Sequence, residues 1–338
     1  MGSLVSRVAH WWLSSTPLRR LLEPPKSQAM IGSSNTFPTS TLLFTQNIAR
    51  NPIAWDPARQ RPTQELVHAV HTALHFALDP CVDHPDEALS FIVHDGVLVI
   101  PNKADLKQRQ PPALGWDVHV KLFIRAAQKD PVAYVTIFER ALVELRDSIG
   151  AAALESFVIS LDGVCWNGEK EDDECGLQDV DNLGDLWAAM SDHTELKNIG
   201  VSDFSASHLR RLLALVNSGN SSGDNHKRSP KPLRKPTINQ LNLSPSAAEP
   251  TALLELTGNE DINLQTHVDD LGTTKQMVGL LSEFEDRLPL SPAFIKLRNE
   301  ERYDEALPIE WVLKYTVFNR DRGLVGEKGY IVSAQLAV

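Results

Sequence analysis

Two rhythms of apolar residues alternate along the chain. Spacing of three and four recurs over Thr63–Leu78, where Leu66, Val70, Leu74, Ala77 and Leu78 form one stripe, and again over Val132–Ile149. Both stretches read as amphipathic helices. Pro62 precedes the first and Asp79-Pro80 stops it. Between them stand short β-type runs: Thr41–Asn47, Val118–Ile124, Phe157–Leu161, Lys197–Val201, Ile238–Leu243 and Ile262–Thr266. Leu89–Ile100 is also β-rich, but Asp95-Gly96 in its middle signals a hairpin turn as strongly as a continuous strand. Asp185–Met190 and Leu307–Phe318 read as helical, and Gly323–Val325 as a last short strand.

The most informative unit is Leu196–Leu213. Its β-type run ends on a polar pair, Ser202-Asp203, and after Phe204 the chain restarts with Leu209, Leu212, Leu213 and Val216 at helical spacing. Ser205 or Ser207 can cap that helix by accepting from its free N–H groups. Strands that alternate with helices, without an internal repeat, predict a parallel α/β fold. About eight strand candidates favour a (β/α)8 TIM-type barrel, which places the Ser202-Asp203 pair at the C-terminal rim, where such folds keep their sites.

Length and composition narrow the setting. A chain of 338 residues has room for one such barrel, read here as a single domain over residues 37–338. The net charge of −11 argues against a general nucleic-acid or membrane-surface binder. Cys81, Cys165 and Cys175 are odd in number and form no zinc-type pairs, which points to a reducing compartment and a cytoplasmic protein. Residues 1–36 carry Arg7, Arg19, Arg20 and Lys26 against the single acid Glu23, a composition shared with transit peptides. Met1–Ser6 also fits the loose N-myristoylation pattern; the reading taken is a mostly disordered extension. Asn217–Thr237, rich in Ser, Gly, Pro and basic residues, reads as a mobile surface insertion.

Several stretches resemble the aldo-keto reductase barrel: VKLFI its third strand, NIGVSDF its fifth, KPTINQLNL its sixth, and WVLKYTVFNRDRG the helix and Arg-Gly lead into its eighth. A narrower set (VKLFI, IGVSDF, NQLNL, QTHVD and RGLVGEKGYI, in that order) resembles the modifier (regulatory) subunits of glutamate–cysteine ligase. That group is aldo-keto-reductase-like and has no known reductase activity. The resemblance implies a partner, the catalytic subunit of the ligase, which joins glutamate to cysteine using ATP. It also implies a role in improving glutamate use and relaxing feedback inhibition by glutathione. The chemistry and the ATP belong to that partner.

A reductase of this family would carry four side chains for its chemistry. Such an enzyme needs a tyrosine to protonate the carbonyl, a lysine to lower that tyrosine's pKa, an aspartate to support the lysine and a histidine to orient substrate. Lys121 matches the lysine. Tyr134, Tyr303, Tyr315 and Tyr330 all follow it, whereas the family's tyrosine precedes it. The family histidine aligns with Ser160 or its neighbour Leu161, and Asp95 stands in for the aspartate without a tyrosine five residues on. In the cofactor site Ser202 and Gln240 match, Asp203 replaces an asparagine, His267 replaces a stacking tyrosine, and Lys328 matches the start of the 2′-phosphate motif. Ala334 takes the place of that motif's arginine, and the chain ends at Val338, short of the family's C-terminal elements. The expectation is therefore a vestigial pocket with no catalytic residue, no metal and no required cofactor. Two alternatives stay open: an NADPH-dependent reductase with a rearranged proton donor, and a dinucleotide-sensing module that binds NADPH weakly.

Outside this pocket, His68, His71 and His75 share a helix face that could hold zinc, but no second cluster supplies the remaining ligands, and a solvated or interface face is preferred. The acidic run Glu171–Glu174 reads as a solvated loop, with docking of a basic surface as the alternative. Cys165 and Cys175 flank that run and read as inert thiols, since nothing cationic surrounds them, with oxidation or bridging to a partner as the alternative. No Walker-type loop, GxGxxG or GxSxG occurs.

Overall fold

The computed structural model describes residues 37–50, 64–78, 90–105, 115–125, 131–164, 177–221, 232–242 and 250–338. Among these residues ten strands pair into one mixed sheet. They are β1 (Ser40–Phe44), β2 (Ile92–His94), β3 (Val97–Ile100), β4 (Trp116–Ile124), β5 (Leu154–Leu161), β6 (Leu196–Ser202), β7 (Ile238–Leu241), β8 (Asn263–Thr266), β9 (Ile309–Asn319) and β10 (Leu324–Gln335). Their order across the sheet is β2-β3-β1-β10-β9-β4-β5-β6-β7-β8. From β4 to β8 every neighbouring pair is parallel, as alternating strands and helices predict. Among the described residues no pairing joins the two end strands, β2 and β8.

Pleating sends alternate side chains of each strand to opposite faces, and each face has its own helical cover. On one side Val120, Leu122 and Ile124 of β4 and Leu313, Tyr315 and Val317 of β9 pack under α2 (Pro131–Ile149), α4 (Gly184–Asp192) and α5 (Ala206–Ser221). On the other, Phe123 and Val312 pack under α1 (Glu65–Leu78), α7 (Thr274–Ser282) and α8 (Pro292–Asn299). The α1 stripe of Leu66, Val70, Leu74, Ala77 and Leu78 is buried throughout. Short helices α3 (Leu177–Asp181), α6 (Thr251–Glu260) and α9 (Tyr303–Ala306) complete the set. No helix among the described residues is long and apolar enough to cross a membrane.

One open alternative is decided and one expectation is overturned. Asp95-Gly96 is a hairpin turn, with φ of 49° and 76°, between β2 and β3. Both positive values suit the two-residue turn that Asp-Gly favours. The larger correction concerns the C-terminal third. Leu307–Phe318 is not a helix: Ile309–Asn319 is strand β9, paired antiparallel with β4 on one side and β10 on the other. Its Leu313, Tyr315 and Val317 are buried while Lys314, Thr316 and Phe318 are half-buried, a period of two. The last strand is likewise longer than Gly323–Val325, reaching from Leu324 to Gln335, and it buries Ala334. An antiparallel hairpin thus sits in the middle of the sheet, between β1 and β4.

In the unit around Ser202-Asp203 the cap is Ser205: its Oγ accepts from the His208 N–H at 3.3 Å. Helix α5 runs to Ser221, into the stretch read as low-complexity. At the far end of that stretch the Trp187 indole donates to the Arg234 carbonyl at 2.7 Å. Residues 1–36, Cys81, Cys165, Cys175, the Glu171–Glu174 run and residues 222–231 lie outside the described residues.

Candidate functional site

Strand register lays polar side chains in two rows on the face that carries Phe123. One row is Lys328, Thr316, His119 and Ser156 on β10, β9, β4 and β5; the next is Tyr330, Lys314 and Lys121 on β10, β9 and β4. These rows floor a cavity of about 370 Å³, walled by Glu65 of α1 and by Gln240, Gln265 and the segment after β8 through His267, Asp269 and Asp270.

Lys121 and Lys314 stand directly opposite each other across β4 and β9, an arrangement that repulsion disfavours. Asp269 resolves it. Its Oδ2 accepts from Lys121 Nζ at 2.9 Å and its Oδ1 from Lys314 Nζ. The Lys121 and Asp269 side chains are 6% and 10% exposed, so this is a buried ion pair. Burial pushes the Lys121 ammonium below its ordinary value, and the Asp269 and Asp203 charges oppose this only in part. Burial also disfavours the Asp269 carboxylate, but His267, Lys121 and Lys314 overcome it and hold the group far below the usual carboxylate range.

Ser202 and Asp203 stand behind this wall. Asp203 has a φ of 63°, a left-handed conformation that aspartate tolerates better than most residues. Its N–H donates to the Gln240 carbonyl at 2.6 Å, its Oδ1 accepts from the Asn242 N–H at 2.9 Å, and its Oδ2 accepts from Ser202 Oγ at 2.8 Å. His267 Nε2 lies 3.1 Å from both Asp203 oxygens and Nδ1 lies 3.2 Å from Asp269 Oδ2. The imidazole therefore bridges two carboxylates. Burial pulls its pKa down, but the bonds to Asp203 and Asp269 outweigh burial and raise it above the ordinary histidine value. Burial likewise opposes the Asp203 charge, and His267, Asn242 and Ser202 reverse the sign, leaving its pKa lowered.

A raised histidine contributes stability that is fully present below its unfolded pKa of about 6.5 and is lost as pH rises through the folded value. Asp203 and Asp269 contribute stability that is present above about 3.9 and is lost as pH falls. A two-dimensional NMR titration of the histidine ring protons is expected to give His267 a midpoint above about 6.5. A midpoint below that value would remove the bridging imidazolium from this account. The stability difference between wild type and His267→Gln is expected to shrink from neutral towards alkaline pH.

Of the residues singled out in the sequence, the fold brings Lys121, Gln240, His267 and Lys328 to one cavity, with Ser202 and Asp203 as supports behind His267. Asp95 does not join them. It sits at the β2–β3 hairpin, 87% exposed beside His94, because the turn faces solvent; Asp269 is the lysine's carboxylate instead. Ser160 lies on β5 opposite Phe123 and does not line the cavity. Residues not singled out include Glu65, His119, Ser156, Asp269 and Lys314. Tyr330 also enters the cavity, from β10. Its hydroxyl donates to Glu65 Oε1 at 2.5 Å, and Lys328 donates to Glu65 Oε2 at 2.6 Å. Burial first, and then the Glu65 charge, push the Tyr330 hydroxyl well above its ordinary pKa.

These facts bear on two chemistries. A carbonyl reductase needs a tyrosine made more acidic, and Tyr330 is made less acidic with its proton committed to a carboxylate. A dinucleotide cradle needs polar atoms turned to the ligand; Ser202 and Asp203 spend theirs on each other, His267, Gln240 and Asn242, and Gln240 Nε2 donates to Gln265 Oε1 at 3.2 Å. In this arrangement those polar atoms are directed to protein partners. His71 and His75 lie elsewhere, on α1, beside Glu283.

No family model matches the chain. Among solved structures, a Bombyx mori aldo-keto reductase in complex with NADP matches 71% of this chain and 58% of that one, at 14% identity and a TM-score of 0.26, a superposition too loose to bear on fold or function. Among curated proteins, one from Schizosaccharomyces pombe, provisionally named a glutamate–cysteine ligase regulatory subunit, is 23% identical over 87% of this chain and 96% of its own length. The human glutamate–cysteine ligase regulatory subunit is 26% identical over 58% of this chain, and that of Rattus norvegicus is 26% identical over 56%. The match spans 60% of each of these two mammalian proteins. Distant relatives of this α/β chain thus carry the name of glutamate–cysteine ligase regulatory subunits.

Proposed function

We propose that this chain is a non-catalytic regulatory subunit of glutamate–cysteine ligase that binds the catalytic subunit in the cytoplasm as a heterodimer. The observation that carries the reading is the alignment with the fission yeast relative, which runs through 96% of that protein. Cavity chemistry supports it. Lysines 121, 314 and 328 are each paired with a carboxylate, and the Tyr330 proton is held by Glu65. The reductase tetrad is incomplete in this reading, and the cavity is a remnant of a cofactor site on an aldo-keto-reductase-like barrel. Selection would then maintain the outer surface of the domain and the ion pairs that hold its sheet together. Regulation would work by population shift: the chain binds one conformation of the catalytic subunit more tightly, improving glutamate use and relaxing glutathione inhibition.

Co-expression with the catalytic subunit from the same organism, followed by size-exclusion chromatography, tests the partnership. The expected result is co-elution of the two chains at one-to-one stoichiometry. Separate elution at micromolar concentration would contradict it. The dinucleotide-sensing alternative is favoured by one observation, the convergence of three lysines on one cavity. Fluorescence titration with NADPH separates the readings: saturable micromolar binding together with turnover of a simple aldehyde would replace the regulatory reading with a reductase.

A further inference from the structure

Away from the cavity, α1 and α7 bring three metal-binding side chains to one point on the surface. His71 and His75 are four residues apart on α1 and so share a face. Their Nε2 atoms are 3.0 Å apart, and His71 Nε2 is 3.6 Å from Glu283 Oε2, at the C-terminal end of α7. All three ligand atoms lie within 4.8 Å of one another. Metal–ligand bonds of about 2.0–2.1 Å meeting at tetrahedral angles separate neighbouring ligands by about 3.3–3.4 Å. The two measured separations bracket that value.

The donors are held in place by their surroundings. The His75 ring meets the edge of Phe284, centroids 5.0 Å apart, and Phe284 is buried and adjoins Glu283 in sequence. One turn of chain thus supplies both a ligand and the wall behind another. Arg287 Nη1 donates to the Leu78 carbonyl at 2.6 Å, which ties the chain beyond α7 to the end of α1. Leu66, Val70 and Leu74 of α1 share a core with Met277, Val278 and Leu281 of α7. The histidine and glutamate side chains are 43% and 51% exposed, so an ion reaches them directly from solvent.

We propose that His71, His75 and Glu283 form a binding site for a divalent transition metal, Zn²⁺ in the first instance, that clasps α1 to α7 and leaves one coordination position open to water. Two imidazoles and one carboxylate are a donor set that zinc accepts, with a fourth position free for a further ligand. Sequence spacing showed the two histidines; only the fold shows the carboxylate, more than two hundred residues away. This site is independent of the regulatory reading.

Isothermal titration of ZnCl₂ into the chelator-stripped full chain tests it. Wild type is expected to bind one equivalent. His71→Ala and His75→Ala are each expected to weaken binding by at least about 100-fold, since loss of even an outer-shell partner costs 10–100-fold. Glu283→Gln is expected to weaken it roughly tenfold. These side chains are partly exposed, so the variants are expected to keep the wild-type circular dichroism spectrum, which checks that they fold. Co²⁺ gives a second readout: visible d–d bands of a four-coordinate nitrogen–oxygen site, lost in His71→Ala. The absence of saturable Zn²⁺ binding at millimolar metal overturns the proposal, as does binding unmoved by all three substitutions. Near-ultraviolet thiolate charge-transfer bands in the Co²⁺ form also overturn it, because they place the metal on cysteine.

Discussion

Asp269→Ala is expected to destabilise the fold by about 3–5 kcal/mol, the range for removing one partner of a buried ion pair. Asp269 neutralises two lysines that face each other across β4 and β9, and it also bonds His267. With alanine there, Lys121 keeps a charge that is almost wholly buried, with Lys314 directly opposite. Urea unfolding at neutral pH measures the loss. Adding Lys121→Met to Asp269→Ala is expected to recover most of it, because methionine fits the buried stem without needing a counter-charge. The coupling between the two sites should then be a large part of the single-variant cost. A loss under about 0.5 kcal/mol for Asp269→Ala, the size of an ordinary surface change, would mean the triad does not hold the sheet together.

Trp311→Ala is the second large effect, expected at about 3–5 kcal/mol, the range for an aromatic removed from a core. Trp311 is fully buried on β9, opposite Ile124 of β4 and Ser333 of β10. Its indole N–H has no partner among the described residues, so the cost is that of the cavity. Strands on both sides line that cavity, and the sheet cannot collapse around it cheaply. The variant also reports on whether Ile309–Asn319 forms a central strand. In a solvent-facing helix the same truncation would cost under 1 kcal/mol, and that result would contradict the placement of β9 in the centre of the sheet.

What could be read from the sequence followed the range of the interactions. Helices α1 and α2 are written in local periodicity, and their buried faces match it; strand β6 is marked instead by its short β-type run ending on Ser202-Asp203. Local signals also mark two helices that periodicity alone passes over. The Thr273–Gln276 capping box opens α7, and Ser291-Pro292 opens α8 with a hydrogen-bonded cap and proline in its first turn. Strand β9 is harder. Its Trp311–Leu313 run is apolar at every position, and only pairing with β4 and β10 decides between the two periods. The cavity is legible in part for the same reason. Lys121, Gln240 and His267 stand out through the resemblance of VKLFI, NQLNL and QTHVD to a known family. Asp269 becomes the partner of Lys121 across 148 positions, a contact that no local spacing encodes. Glu65 and Tyr330, separated by 265 positions, meet only because β10 runs beside α1.

The most direct test of the regulatory account is a kinetic titration of the ligase catalytic subunit with this chain, at fixed enzyme and varied glutamate and glutathione. The account predicts a lower KM for glutamate and weaker glutathione inhibition, by about fivefold or more, the lower end of allosteric couplings. Both effects should saturate at one chain per catalytic subunit. Ligase kinetics unchanged at saturating chain would contradict it.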